Sequence, residues 1–223
     1  MIFTFWEGRM PDYIALCLTT WRKEFVILRY DNLRQYTDLP IDKLKRYTLP
    51  QIADIVRVHV LRDCGGTWLD ADTIQITGTL PNVPFLGNDE DRTHSIAYLK
   101  TEPHTDLYEE WAEHQDRIIG SGSSVIWSSF GNSFTDRYLK EHDEIQLGNI
   151  TPCWPETYMI PGDAPRKTKY GRFYFAKGYS LEDLRPTDLL MLHNSWTPEW
   201  YKRMDVKQVL SMDCTLSNIL REM

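Results

Sequence analysis

The chain contains no apolar run near eighteen residues, no C-x-x-C pair, no internal repeat and no low-complexity tract. Each absence excludes something. Without about 18 consecutive apolar residues there is no candidate membrane-spanning helix. The four cysteines, Cys17, Cys64, Cys153 and Cys214, are scattered, which argues against a disulfide framework and for free thiols in a reducing compartment. The opening MIFTFWEGRMP lacks the basic and long apolar regions of a secretory signal, so a cytoplasmic protein is expected. Positive charge is also short. The formal charge of -7 argues against a general binder of nucleic acid or anionic membrane, although a local basic pocket is compatible with it.

Across 223 residues, one domain with one sizeable core is the expectation. The 42% hydrophobic and 26% charged content is that of an ordinary folded chain, so function has to be sought in local pattern. Eight Trp and twelve Tyr are many for this length; most belong in a core, and a minority could stack on sugars or bases.

Ile2 to Trp6 reads as a buried first strand, and Pro11 opens a helix to about Arg22. Phe25 to Leu28 reads as a second strand, followed by a polar connection with one or two short helices. Pro50 opens the next helix. Strand, helix, strand, helix, strand within 75 residues predicts an α/β sheet with parallel neighbours. Further on, Ser95 to Leu99 and Val125 to Trp127 look like strands, and Asp106 to Asp116 and Phe134 to His142 like helices. Gly148 to Pro165, with four prolines, reads as a long loop. Tyr170 to Ala176 and Leu189 to Leu192 look strand-like, and Val206 to Leu220 reads as one amphipathic helix.

The stretch DIVRVHVLRDCGGTWLDADTI, from Asp54, organises the rest. A helix from Asp54 to Cys64 rises about 15 Å. A strand from Gly66 to Asp70 returns about 13 Å. If the Gly65-Gly66 reversal is tight, Asp54 and Arg57 come back to the neighbourhood of Asp70 and Asp72. Three carboxylates and a guanidinium would then share a pocket suited to a divalent cation and a phosphate. Asp70 and Asp72 can serve one ion only if the chain turns there, since alternate strand residues face opposite sides. Such an oxygen site suits Mg2+ or Mn2+ carried with a diphosphate. Asp54 and Arg57 share a helix face; they are either a surface ion pair or a pair facing phosphate and sugar hydroxyls. His193, after the strand-like Leu189 to Leu192, is either a third metal ligand or an ordinary satisfied histidine. Trp6, ending the first strand, either stacks on a nucleobase or caps the core.

Asp54-x-x-Arg57, Gly65-Gly66 and Asp70-x-Asp72 resemble the DXD region of nucleotide-sugar glycosyltransferases. The pattern is similar to glycosyltransferase family 32, the capsular-polysaccharide group and the glucosylating toxins related to them. The opening strand ending in Trp6 and the late Ser195-Trp196 pair are similar too, and the chain also resembles glycosyltransferases that decorate the capsids of large algal viruses. The resemblance is strongest over residues 50 to 76.

It implies a single GT-A domain over 1–223, with a mixed, mostly parallel sheet flanked by helices. Its Rossmann-like nucleotide-sugar half would span 1–76 and its acceptor half 77–223. It implies a retaining hexosyltransferase that uses a UDP-sugar, Mn2+ or Mg2+, and a glycan or glycoprotein acceptor. By position, Asp72 would bind the metal, and Asp70 the ribose or the metal shell, with His193 as a further ligand. Arg57 and Asp54 would hold the donor sugar as catalytic groups. Trp6 would receive the uracil, with Thr4 and Phe5 also binding substrate, and Ser195 and Trp196 would receive the diphosphate. Two other readings stand beside this one. LDADTI also resembles the D-x-D-x-[TV] loop of haloacid-dehalogenase phosphohydrolases, in which the first Asp is a nucleophile. A sugar-binding module without chemistry would use the aromatics alone.

Overall fold

Why short apolar runs near the amino terminus become buried strands is plain from their neighbours: each is followed by a helix that can cover it. The computed structural model describes residues 1–122, 124–176 and 178–223. In chain order the elements begin β1 (Ile2–Phe5), α1 (Asp12–Thr19), β2 (Phe25–Leu28), α2 (Ile41–Leu44), α3 (Leu49–Cys64) and β3 (Gly66–Leu69). Then come β4 (Thr73–Gln75), β5 (Phe85–Gly87), β6 (His94–Thr101), α4 (Asp106–Ser121), α5 (Asn132–Glu141) and β7 (Leu147–Asn149). The chain closes with α6 (Glu156–Met159), α7 (Arg166–Phe175), β8 (Leu189–Met191), α8 (Glu199–Lys202), α9 (Val206–Ser211) and α10 (Thr215–Glu222). Among the described residues no helix is long and apolar enough to cross a membrane.

The chain divides into two compact units, each discontinuous in sequence, so neither coincides with the expected halves 1–76 and 77–223. The first comprises 1–8, 23–70 and 82–149. Its sheet has six strands in the order β2-β1-β3-β6-β5-β7. β1 lies parallel to β2 and β3, and β5 parallel to β7, while β6 runs antiparallel to β3 and β5. Five strands thus share one direction, which is the mixed, mostly parallel α/β sheet that the sequence predicts. α3 lies against β1 and β3, and α4 packs on α3. From Ile52 to Leu61 nearly every α3 residue is buried, the pattern of a helix enclosed on all sides. Its start is fixed by Pro50 and by Gln51, whose side-chain oxygen accepts from the Thr48 N–H at 3.1 Å and the Thr48 hydroxyl at 3.0 Å.

The turn out of α3 needs glycine twice. Gly65 and Gly66 have φ of 62° and 98°, in the left-handed region where a Cβ is disfavoured. Space is also short: a Cβ on Gly65 would come 2.7 Å from Pro103, and one on Gly66 2.8 Å from the Met1 carbonyl oxygen. The reversal is as tight as the argument from lengths required.

The second unit comprises 9–22, 71–81 and 150–223. A two-stranded antiparallel ribbon, β4 with β8, pairs Thr73 with Met191. α1 and the later helices pack around it, with Tyr13, Cys17, Tyr170, Phe173, Tyr174 and Tyr201 buried.

Several expectations need correction. Val125 to Trp127 forms no strand; Ile126 and Trp127 are 70% exposed, and β-prone side chains without a partner strand leave only a loop. Tyr170 to Ala176 belongs to α7, whose buried Tyr170, Phe173 and Tyr174 follow helical spacing. Gly148 to Pro165 is not one loop, since it holds the end of β7, a 3-10 turn over Thr151–Cys153 and α6. Val206 to Leu220 is two helices, because the chain is extended at Met212 and restarts at Cys214.

Candidate functional site

In the first unit, β1 and β3 run side by side with Phe3 opposite Trp68, so both strands end at the same sheet edge. Thr4, Phe5 and Trp6 lie at the end of β1, and Asp70 follows β3. Carboxyl ends of parallel strands are where open α/β sheets receive ligands. Trp6 is half-buried, and neither its indole N–H nor the Thr4 hydroxyl has a hydrogen-bond partner among the described residues.

Behind this edge stands Arg57. Its Nη2 lies 2.9 Å from Asp54 Oδ1 and 3.2 Å from Asp70 Oδ1. Its Nη1 donates to the Ile96 carbonyl, and its Nε to the Ala53 carbonyl at 3.3 Å. The guanidinium carbon sits 5.0 Å from the centre of the Trp68 ring, and the Trp68 indole N–H donates to Asp70 Oδ1 at 2.8 Å. Arg57 is 4% exposed, and its fork meets protein oxygens: the Asp54 and Asp70 carboxylates and the Ile96 and Ala53 carbonyls. What it presents is a fixed pair of carboxylates. Burial, with the Asp70 charge adding to it and Arg57 opposing it, pushes the Asp54 carboxyl up to about 6. The Asp54 main-chain carbonyl accepts from Gln115 Nε2 at 2.9 Å, and the same amide donates to Phe130 O at 2.6 Å. Gly131 closes over the carboxylate: a Cβ there would sit 3.2 Å from Asp54 Oδ2 and 2.5 Å from Ile96.

In the second unit, Asp72 opens β4. Its carbonyl accepts from Leu192 N at 3.1 Å, and its Oδ2 from Asn194 N at 2.7 Å. The Asn194 side-chain oxygen in turn accepts from the buried Tyr13 hydroxyl. His193 to Thr197 is a tight turn, with Trp196 N and Thr197 N both donating to the His193 carbonyl. The His193 ring lies 3.9 Å from that of Trp196, and its Nε2 is buried without a partner. Burial first and the Arg166 charge second push the imidazole down to about 3, so it stays neutral. Ser195 is exposed.

The expected residues therefore fall into two sets. Asp54, Arg57 and Asp70 are in contact in the first unit, beside the strand end that carries Thr4, Phe5 and Trp6. Asp72, His193, Ser195 and Trp196 belong to the second. Sequence reasoning missed Asn194 and Tyr13, Gln115 and Gly131, and the Glu156–Arg166 pair. Only Asn194, beside His193 in the chain, carried a local hint.

Residues 1–146 match the sequence profile described as capsular polysaccharide synthesis protein. Among solved structures, a chain described as PaToxG glycosyltransferase is similar at 16% identity and a TM-score of 0.47, covering 63% of this chain and 68% of that one. No curated protein sequence matches. Since the family match spans well over half of the sequence, the chain belongs to the capsular polysaccharide synthesis protein family.

Proposed function

We propose that the protein is a metal-dependent, retaining glycosyltransferase of GT-A type, moving a hexose or deoxyhexose from a UDP-sugar to a glycan or glycoprotein acceptor in the cytoplasm. One observation carries the reading: Arg57 fixes the Asp54 and Asp70 carboxylates at the carboxyl-end edge of parallel strands. Carboxylates held this way accept hydrogen bonds from sugar hydroxyls without having to reorganise. The unpartnered Trp6 indole at the neighbouring strand end offers a flat face and a donor for the uracil. Family membership supports the same class of chemistry.

For the ion, Asp72 offers a hard carboxylate oxygen and His193 a neutral, unpartnered nitrogen, a donor set that suits Mn2+ and admits Mg2+. Among the described residues no three His, Cys, Asp or Glu side chains are grouped to hold an ion by themselves. An ion would therefore arrive with the diphosphate, whose oxygens complete its shell. When bound, it supplies positive charge to the departing diphosphate.

The chain's own residues have the remaining tasks. In the first unit Asp54 and Asp70 are assigned the donor sugar and Trp6 the base; in the second, Ser195 and Trp196 are assigned the diphosphate. Among the described residues no side chain is assigned as a nucleophile, and Asp70 Oδ1 meets Arg57 and Trp68, which disfavours the phosphohydrolase reading. Retention then follows from same-face attack, with the leaving phosphate oxygen accepting the acceptor hydroxyl's proton.

The test is a thermal-shift panel of nucleotide sugars with and without Mn2+. Ligands that bind the native state raise apparent stability. UDP-sugars are expected to raise Tm only with the ion. Equal response to unrelated nucleotides, or indifference to Mn2+, would overturn the reading.

A further inference from the structure

Polar atoms left unpaired in the second unit gather in one place. Trp154 Nε1, Glu156 Oε2, Arg166 Nη2, Tyr174 Oη and His193 Nε2 are five of the thirteen buried side-chain polar atoms without a partner among the described residues. Folded proteins leave few such atoms, and a cluster of them calls for a physical account.

Arg166 is at the centre. Its guanidinium carbon lies 3.7 Å from the centre of the Trp154 ring and 5.6 Å from that of Trp196. Its Nε is held by Glu156 Oε1 at 2.9 Å, and the Glu156 side chain is completely buried. Tyr174 Oη can donate and Glu156 Oε2 can accept, so those two complement each other. Trp154 Nε1 and Arg166 Nη2 can only donate. What they lack is an acceptor.

Stability alone does not explain the arrangement. Arg166 is the first residue of α7, where the helix macrodipole disfavours a cation, and Lys167 and Lys169 follow it with no acidic residue in that turn. In a chain of net charge -7, this is a local concentration of positive charge. The Arg166 side chain keeps 29% of its surface exposed while the unpartnered Nη2 itself is buried, so the acceptor it lacks would be an atom of a ligand that enters beside the exposed part of the side chain. A planar guanidinium with one edge fixed and another free is suited to a phosphate oxygen.

We infer that Arg166 binds the diphosphate of the donor, with Glu156 as its positioning residue. The inference rests on the glycosyltransferase reading for its ligand. It also meets a need of that reading, because Arg57 is buried and four of its five N–H donors meet Asp54, Asp70 and two carbonyls. Arg166, whose guanidinium carbon lies 5.6 Å from the centre of the Trp196 ring, supplies positive charge where negative charge grows on the leaving group.

Calorimetric titration of wild type, Arg166→Gln and Arg166→Lys with inorganic pyrophosphate tests this, with UDP plus Mn2+, uridine and glucuronate run in parallel. Arg166→Gln is expected to weaken pyrophosphate and UDP at least tenfold while leaving uridine unchanged. Arg166→Lys should fall between, since it keeps charge but loses the fork. Glu156→Gln should weaken pyrophosphate less than Arg166→Gln does. If Arg166→Gln fails to fold, Arg166→Lys decides. A folded variant that binds pyrophosphate as wild type does, wild type that does not bind it, or dependence on Arg166 for glucuronate alone overturns the inference. Pyrophosphate binding that depends on Arg166, in a protein that ignores UDP and UDP-sugars, sustains the phosphate site and sinks the donor reading instead.

Discussion

Arg57 Nη2 lies 3.2 Å from Asp70 Oδ1 across the Gly65-Gly66 reversal, on the same nitrogen that meets Asp54 Oδ1 at 2.9 Å. A single cation therefore ties a helix to the end of the strand that follows it. Breaking a buried pair by removing one partner typically costs about 3–5 kcal/mol, because the remaining charge stays buried. Arg57→Ala should lower stability by that order, and transfer by at least about 100-fold in the fraction that folds. Denaturant melts and kcat/KM on the same preparations check both.

Asp54 gives stability a pH dependence of unusual sign. Its carboxyl titrates near 6 in the folded protein and near 4 in the unfolded chain. Between those values the native state holds the extra proton, so stability falls as pH rises through the window. The penalty is absent below the lower value and complete above the upper one, at about 3 kcal/mol at most. Asp54→Asn should remove this slope. Melts of both proteins from pH 4 to 8 should therefore diverge, with wild type losing ground to the variant as pH rises; parallel curves would refute the assignment.

Asp72→Ala should abolish transfer and Mn2+-dependent UDP binding while shifting Tm only slightly, since the carboxylate is half-buried. The variant loses the hydrogen bond that Asn194 N donates to the carboxylate, worth about 1 kcal/mol. Substantial transfer by the variant in Mn2+ would show that Asp72 is not the ion's ligand.

Tyr13→Phe isolates the other side of that network. Losing the hydroxyl leaves the Asn194 side-chain oxygen without its donor, a cost of about 1–3 kcal/mol. The donor KM should rise more than kcat falls, because the turn carrying Ser195 and Trp196 loosens while the carboxylates of the first unit are untouched.

Gly65→Ala should destabilise by more than about 2 kcal/mol, combining left-handed strain with a 2.7 Å approach to Pro103. Loss of the Arg57–Asp70 contact should follow, and transfer should fall with it.

The first 76 residues were legible because their information is local. Pro50, the two glycines and the helical spacing of Asp54 and Arg57 fix the α3 to β3 hairpin from nearby residues. Arg57's partners beyond Asp54 and Asp70 were not legible. Nothing in the chain says that the Ile96 carbonyl, on β6, will take one arm of the fork. Tyr170 to Ala176 misled for a different reason: consecutive aromatics favour strands, but positions 170, 173 and 174 already carried the helical period. The Glu156–Arg166 pair was invisible because its meaning comes from burial between two tryptophans, and no spacing rule encodes that.

The β4–β8 ribbon joins Thr73 to Met191, and Asp72 is held by Asn194. On the ribosome, then, the first carboxylate pair can be set early, from residues already made. Asp72 must wait until some 120 further residues have emerged, a long loop to close before any pairing rewards it. A nascent chain halted before Leu189 would carry a finished Asp54–Arg57–Asp70 trio and an Asp72 that still lacks its Leu192 and Asn194 contacts.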